Sequence, residues 1–218
     1  ISPSAVADFK MRIFNADGSE AKMCGNGIRC VGKYVYDKGY TDKKNLTVET
    51  LSGIKTLELG VSFGKVKSVT VDMGQAVPAE DMTLNIDGET VVLTPVSVGN
   101  PHAVIFVDDI EKAPLTTLGP KIEHHEAFAD GVNVEFVQVL GNSELRMKVW
   151  ERGSGVTMAC GTGACASATA AVKKKCCAYC EPISVHLDGG TLKITVTPDN
   201  KVTMTGPAEF VYEGETME

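Results

Sequence analysis

Two short stretches hold the residues best suited to chemistry, Cys24-Gly-Asn-Gly27 and Cys160-Gly-Thr-Gly163. Each reads as the point where a polar loop turns into a helix. The first turn of a helix leaves four backbone N–H groups unpaired and carries the positive end of the helix dipole. A thiol set there ionises more easily, and an anion is readily bound. A thiolate and a thiol, one on each side of a carbon, can remove a proton and return another. The plain alternative is that each cysteine is a small buried apolar residue, the usual fate of a free thiol. That alternative is preferred for Cys30 and Cys165, which fall inside the two helices. For Cys24 and Cys160 the repeated Gly-x-Gly reverses the preference.

The repetition extends upstream without a gap. Lys10-Met-Arg-Ile-Phe14 lies over Arg146-Met-Lys-Val-Trp150, basic on basic and apolar on apolar. Each copy predicts a strand, a polar loop, a helix and a hairpin. In the first copy the strand is Phe9–Asn15. The helix places Ile28, Val31 and Val35 on one face and ends by Gly39, and the hairpin turns at Ser52-Gly53. Lys65–Asp72 follows as a strand. In the second copy the helix runs from Ala164 to about Lys175. Its small residues on every side predict close enclosure. The hairpin Ile183–Leu187 and Thr191–Thr197 turns at Gly189-Gly190, and Val202–Thr205 closes the copy. Repeat units of this length indicate a duplicated domain rather than a solenoid.

Duplication divides the chain into halves at 1–82 and 83–218. The second half opens with strands at Val91–Val98, Ala103–Val107 and Val134–Leu140 and a short helix within Leu118–Ala129. Twenty-three residues precede Cys24, against 77 of the second half before Cys160. If the halves are equivalent, roughly 50 residues of the first are missing. The helix face of Ile28, Val31 and Val35 is then expected to be partly uncovered unless another chain covers it.

The 218 residues carry a net charge of −7 with no basic block, which disfavours nucleic acid and anionic membrane as partners. No apolar run reaches the roughly 20 residues of a membrane span, and no signal peptide is visible. Seven cysteines, an odd number in a chain of this size, argue against a secreted disulfide framework and for a reducing cytoplasm. Cys176, Cys177 and Cys180 lack a second Cys/His pair at zinc-finger spacing, so no metal is expected there.

Five motifs occur together and in order: Met23-Cys-Gly-Asn-Gly27, Gly99-Asn-Pro-His102, Gly131-Val-Asn-Val-Glu-Phe136, Trp150-Glu-Arg-Gly153 and Ala159-Cys-Gly-Thr-Gly163. On them the chain resembles the diaminopimelate epimerase family from about Arg12 to Glu213. The resemblance implies an α+β fold of two pseudo-symmetric halves, each a mixed sheet curled around one central helix. The last strand, about Ala208–Tyr212, would cross to the first half. It implies interconversion of LL- and meso-diaminopimelate by Cys24 and Cys160, in lysine and peptidoglycan synthesis, with no metal and no pyridoxal phosphate. A homodimer is the implied assembly. The amides of Gly25, Asn26, Gly161 and Thr162 would hold the α-carboxylate and stabilise its developing charge. His102 would tune the first-half cysteine and Glu151 the second. Arg152 would grip the distal carboxylate as a fork, with Asn15, Asn100 and Asn133 completing that pocket. Read alone, His102 is a structural hydrogen-bonder at a strand end, and Glu151 and Arg152 are a solvated ion pair.

Two other readings compete. Proline racemase and hydroxyproline epimerase resemble this pattern, but their first motif carries His where Asn26 stands. Their second follows Asp-Arg-Ser-Pro, where this chain has Val156-Thr-Met-Ala159. A non-catalytic binding module or thiol redox protein is the third reading. It predicts function that survives replacement of either cysteine.

Overall fold

The computed structural model describes residues 1–14, 18 and 20–215. The chain forms two compact units, Ile1–Thr70 with Gly206–Glu218, and Val71–Thr205. Both mix strands and helices in the α+β manner, and in each one helix lies against a mixed sheet.

The first unit holds β1 (Phe9–Lys10), β2 (Ile13–Phe14), β3 (Glu20–Ala21), α1 (Gly25–Asp37), β4 (Asn45–Thr50), β5 (Gly53–Ser62) and the start of β6 (Lys65–Gln75). Strand β1 pairs in parallel with β4, and β4 and β5 form the expected hairpin, with Thr50 opposite Gly53. The single strand expected over Phe9–Asn15 is instead two. Met11 is buried and its N–H bonds to Glu49 O, while β2 leaves that sheet to pair with β3. A fork from Arg12 to both oxygens of Glu20 ties the β2–β3 hairpin.

Helix α1 buries Ile28, Val31 and Val35. The expectation that this face is partly uncovered is therefore wrong. The unit's own strands cover it, because Gly32 lets the helix lie close. A Cβ at Gly32 would come within 2.9 Å of Leu57 and 3.0 Å of Leu59. Cys30, expected to be buried, is exposed, since it lies on the opposite side of α1. The helix ends with Gly39 at φ +76°, a left-handed cap that glycine takes without a Cβ clash. Its last turn is tied to β6 by Asp37, which accepts from Val66 N–H at 2.9 Å and from Lys33 at 2.8 Å. No strand forms over Ala208–Tyr212. The segment is held by Arg29 donating to Pro207 O and by a Lys38–Glu213 ion pair, which are side-chain contacts rather than a ladder.

The second unit holds β7 (Val77–Pro78), β8 (Met82–Ile86), β9 (Glu89–Ser97), β10 (Pro101–Phe106), α2 (Leu115–Glu123), β11 (Asn133–Gly141), β12 (Glu144–Glu151), β13 (Gly155–Thr157), α3 (Gly161–Lys173), β14 (Ile183–Leu187), β15 (Gly190–Val196) and β16 (Lys201–Gly206). The strand order is β16-β15-β14-β12-β11-β10-β9-β7, with β8 beside β9 and β13 beside β12. The pairs β10–β11 and β12–β14 are parallel and the other described pairs antiparallel. The units part at Thr70/Val71 rather than at 82/83, because β7 and β8 both pair with β9.

Alternation along β10 and β11 decides what meets α3. Ala103, Ile105, Val134 and Phe136 point to a core closed by Ile122 of α2. His102, Asn133 and Glu135 point to the other face, where α3 packs against seven of the strands. Eleven of the thirteen α3 residues are buried, as small residues on every side require. Helix α2 begins at Leu115, three residues before the expected start, and ends at Glu123. Gly119 sets it against Trp150, whose ring leaves 2.8 Å for an added Cβ.

Candidate active site

Each cysteine of interest caps a helix. Cys24 at the start of α1 has φ −135° and ψ 116°, and Cys160 at the start of α3 has φ −122° and ψ 111°. These are the extended angles of an N-cap, and each sulfur accepts the N–H three residues on, from Gly27 and from Gly163, both at 3.3 Å. A thiol thus stands where Ser or Asp commonly stands.

The environments of the two differ. Cys24 is half-buried. Asn26 beside it is fixed by Arg29, whose guanidinium also reaches Gly25 O at 3.1 Å. Cys160 is buried, and burial, then the neighbouring carboxyl group of Glu151, push its thiol up against the donors of Thr162 and Gly163.

A hydrogen-bonded chain leads away from Cys160. Its sulfur lies 3.5 Å from Thr162 Oγ1, which accepts from Asn100 Nδ2 at 3.3 Å. Asn100 Oδ1 lies 3.1 Å from His102 Nε2, and His102 Nδ1 lies 2.6 Å from Glu135 Oε1. Both members of that last pair are fully buried. Burial raises the Glu135 carboxyl, with His102 opposing and Glu151 reinforcing the shift.

The loop after β12 is held by three anchors. Trp150 and the N–H of Gly153 both donate to Glu123. Arg152 N–H donates to Asn133 Oδ1 at 3.0 Å, and Asn133 Nδ2 to Pro101 O at 2.9 Å. The Arg152 guanidinium is exposed and donates to Asp130 O at 2.9 Å. Glu151 Oε1 accepts the hydroxyl of Thr157.

The family model for diaminopimelate epimerase matches residues 1–78 and 94–211. This chain belongs to the diaminopimelate epimerase family. The diaminopimelate epimerase of Geobacillus thermodenitrificans (strain NG80-2) is 52% identical to it over 228 positions, covering 98% of this chain and 79% of that protein. The one from Phocaeicola vulgatus is 53% identical and covers 99% and 81%. The chain is accordingly an isomerase, an amino-acid epimerase by family. Among solved structures, a Bacillus anthracis phenazine biosynthesis protein of the PhzF family superposes with a TM-score of 0.80 at 17% identity, over 99% of this chain and 83% of that one. A hydroxyproline epimerase from Agrobacterium vitis gives 0.73 at 17% identity, over 94% and 69%. These two share the fold.

Against that family background, the second unit gathers Asn100, His102, Asn133, Glu151, Arg152, Cys160, Gly161 and Thr162 on α3 and the strand ends around it. Cys24, Gly25 and Asn26 lie together in the first unit at the start of α1. Asn15 lies outside the described residues. Asn133 is occupied by backbone groups, which makes it a brace for Arg152. Three contributors were missed from sequence: Glu135, Glu123 and Thr157. The signal for Glu135 was an acid within Val132-Asn-Val-Glu-Phe-Val137, a stretch otherwise free of charge, which a strand buried on both faces admits only with a partner. Thr157 and Glu123 gave no such signal.

Proposed function

We propose that this chain interconverts LL- and meso-diaminopimelate, with Cys24 and Cys160 acting on opposite faces of the α-carbon. The observation that carries the reading is the matched pair of cysteine N-caps. An α-hydrogen is a very weak acid. One thiolate takes it, the C–H electron pair moves toward the α-carboxylate, and the opposite thiol delivers its own proton to the other face. The thiol becomes the thiolate, so the roles are exchanged and the reverse reaction is primed. The N–H groups of Gly25 and Asn26 and of Gly161 and Thr162 stabilise the charge that collects on the carboxylate oxygens. The burial of Cys160 supports it as the proton donor of the resting state.

In this reading His102 and Glu151 tune the thiols. Arg152 forks onto the distal carboxylate, Asn15 and Asn100 contribute to the distal pocket, and Asn133 serves that pocket by bracing Arg152. The acid and base both come from the chain, so the reaction calls for no metal or pyridoxal phosphate. We place the enzyme in the cytoplasm, a reading that the seven free thiols support. No described helix is long and apolar enough to cross a membrane. A homodimer is the proposed assembly. In the first unit Phe210, Val211 and Tyr212 are 59%, 85% and 82% exposed, more apolar surface in a row than solvent favours.

The test is a substrate comparison. Epimerisation of LL-diaminopimelate, with no turnover of L-proline or hydroxyproline, is expected. Turnover of proline instead would replace this reading by that of a proline-type racemase. Turnover retained after Cys24→Ala and Cys160→Ala would leave neither.

A further inference from the structure

Among the described residues, Glu135 is the one fully buried acid whose partner is also fully buried, and no reacting atom of the proposed mechanism touches it. Its Oε1 lies 2.6 Å from His102 Nδ1, and its Oε2 finds no hydrogen-bond partner among the described residues. It sits directly beneath the first turn of α3. A Cβ on Gly163 would come within 2.7 Å of Oε1 and 3.2 Å of Cγ. At the matching Gly27 the nearest described atoms, of Cys24 and Ile13, stand 3.5–3.6 Å away. The second glycine of the Cys160 motif thus makes room for this acid.

Donors and acceptors along the chain fix where the protons lie. Asn100 can offer its NH2 to Thr162 only if its oxygen faces His102. His102 Nε2 must then carry a hydrogen to donate to that oxygen. One further proton lies between Nδ1 and Oε1. If it sat on His102, Glu135 would be a buried carboxylate with one oxygen lacking any donor, a costly arrangement. If it sits on Glu135, the carboxylic acid donates to Nδ1, and Oε2 is a neutral carbonyl oxygen. The surroundings favour the second. The titratable groups facing Glu135 are His102 on β10, Glu151 on β12 and Cys160 at the start of α3. An ionised Glu135 would add a second negative charge beside Glu151 and oppose a thiolate at Cys160.

We propose that Glu135, as the neutral acid, is a positioning residue for Cys160. It holds the His102 hydrogen on Nε2 and thereby points an unbroken series of hydrogen bonds at the sulfur. Glu135 donates to His102, His102 to Asn100, Asn100 to Thr162, and Thr162 to Cys160. Every donor faces the same way, and the sulfur is the terminal acceptor. Donation to the sulfur favours the thiolate that Cys160 must become after giving up its proton. The proposal rests on Cys160 being one of the two reacting thiols.

The test reads the thiol without substrate. Alkylation of Cys160 by iodoacetamide is followed against pH by peptide mass spectrometry in the full chain. Four proteins are compared: wild type, Glu135→Gln, Glu135→Leu and Thr162→Val. A glutamine side chain can still donate to His102 Nδ1, so Glu135→Gln keeps the wild-type midpoint to within about 0.3 pH unit. Glu135→Leu and Thr162→Val break the series and raise the midpoint by about one pH unit, the effect of one lost bond to an anion. If Glu135→Leu does not fold, the other two variants decide. A midpoint that falls in Glu135→Gln would reveal an ionised carboxylate and overturn the proposal. So would one that rises there as far as in Thr162→Val, or one that stays still in Thr162→Val. Because no substrate is present, a failure to epimerise diaminopimelate would sink the functional reading and leave this result intact.

Discussion

At the scale of single residues the site is built from common parts in uncommon places. An N-cap is ordinarily Ser, Thr, Asp or Asn, whose oxygen accepts the free N–H groups. Cysteine accepts them less well, so a thiol there is kept for its acidity rather than for helix stability. Arg152 shows a similar division. Its backbone is pinned by Asn133, while among the described residues its exposed guanidinium donates to Asp130 O. Arg152→Lys should therefore raise the substrate KM by at least tenfold, because a point charge does not replace a planar fork. Steady-state kinetics on diaminopimelate checks this, and an unchanged KM would remove Arg152 from the distal pocket.

Reading the residues from sequence worked where a motif carried its own geometry. Cys24 and Cys160 were legible because Cys-Gly-x-Gly at a loop–helix border admits few structures. Glu135 was not singled out, because its meaning depends on His102, 33 residues away and on a parallel strand. Cys30 was misjudged because helical phase, not residue type, sets exposure.

At the scale of elements the helices act as mounts, and each is tied down at both ends. At the front of α3, Gly163 lies against Glu135. Gly163→Ala should push the acid or the first helical turn aside and lower kcat by at least tenfold. A variant with wild-type kcat would show that the contact yields. At the back of α1, Asp37 accepts from Lys33 and from Val66 N–H. Burial raises the Asp37 carboxyl, but these donors outweigh it and hold it below the usual range. A lowered folded pKa stabilises the native state above the ordinary carboxyl value and loses that effect as pH falls through the folded value. Asp37→Asn should cost about 1–2 kcal/mol at pH 7, and the difference from wild type should begin to narrow below about pH 4, closing only below the lowered folded value. Urea melts at pH 7 and pH 3.5 provide the check.

Elements with a strong period were legible. Strand β4 and the strands β14 to β16 stand within a residue or two of expectation, since turn glycines mark their ends, while β5 runs three residues past the expected end at Leu59. The split of Phe9–Asn15 into β1 and β2 was not, because alternation continues through Met11 and Arg12 while the pairing partner changes. Ala208–Tyr212 has strand-forming residues but is flanked by side-chain contacts from Arg29 and Lys38 rather than by a ladder.

At the scale of the whole molecule, duplication explains why one arrangement appears twice with different neighbours. Both units present a capped thiol at the start of a central helix. The second alone, among the described residues, backs it with a buried acid–imidazole pair. The exposed apolar run Phe210–Tyr212 and the stacked Tyr34 and Tyr40, 5.8 Å apart, lie in the first unit. Light scattering on the purified chain should give twice the 23.1 kDa of one copy, and Tyr212→Glu should shift it toward one copy. A wild-type mass of 23.1 kDa would remove the dimer.

The central claim is that two thiols work on opposite faces of one carbon. The most direct measurement starts LL-diaminopimelate in heavy water and stops it at low conversion. Both thiols exchange with solvent, so the delivered hydrogen is deuterium and the abstracted one stays on the other sulfur. The meso product should carry one deuterium at the inverted carbon while recovered LL substrate stays almost unlabelled. Cys24→Ala and Cys160→Ala should each stop formation of that product. A meso product that retains its original hydrogen, or labelled product from either alanine variant at the wild-type rate, would contradict the account.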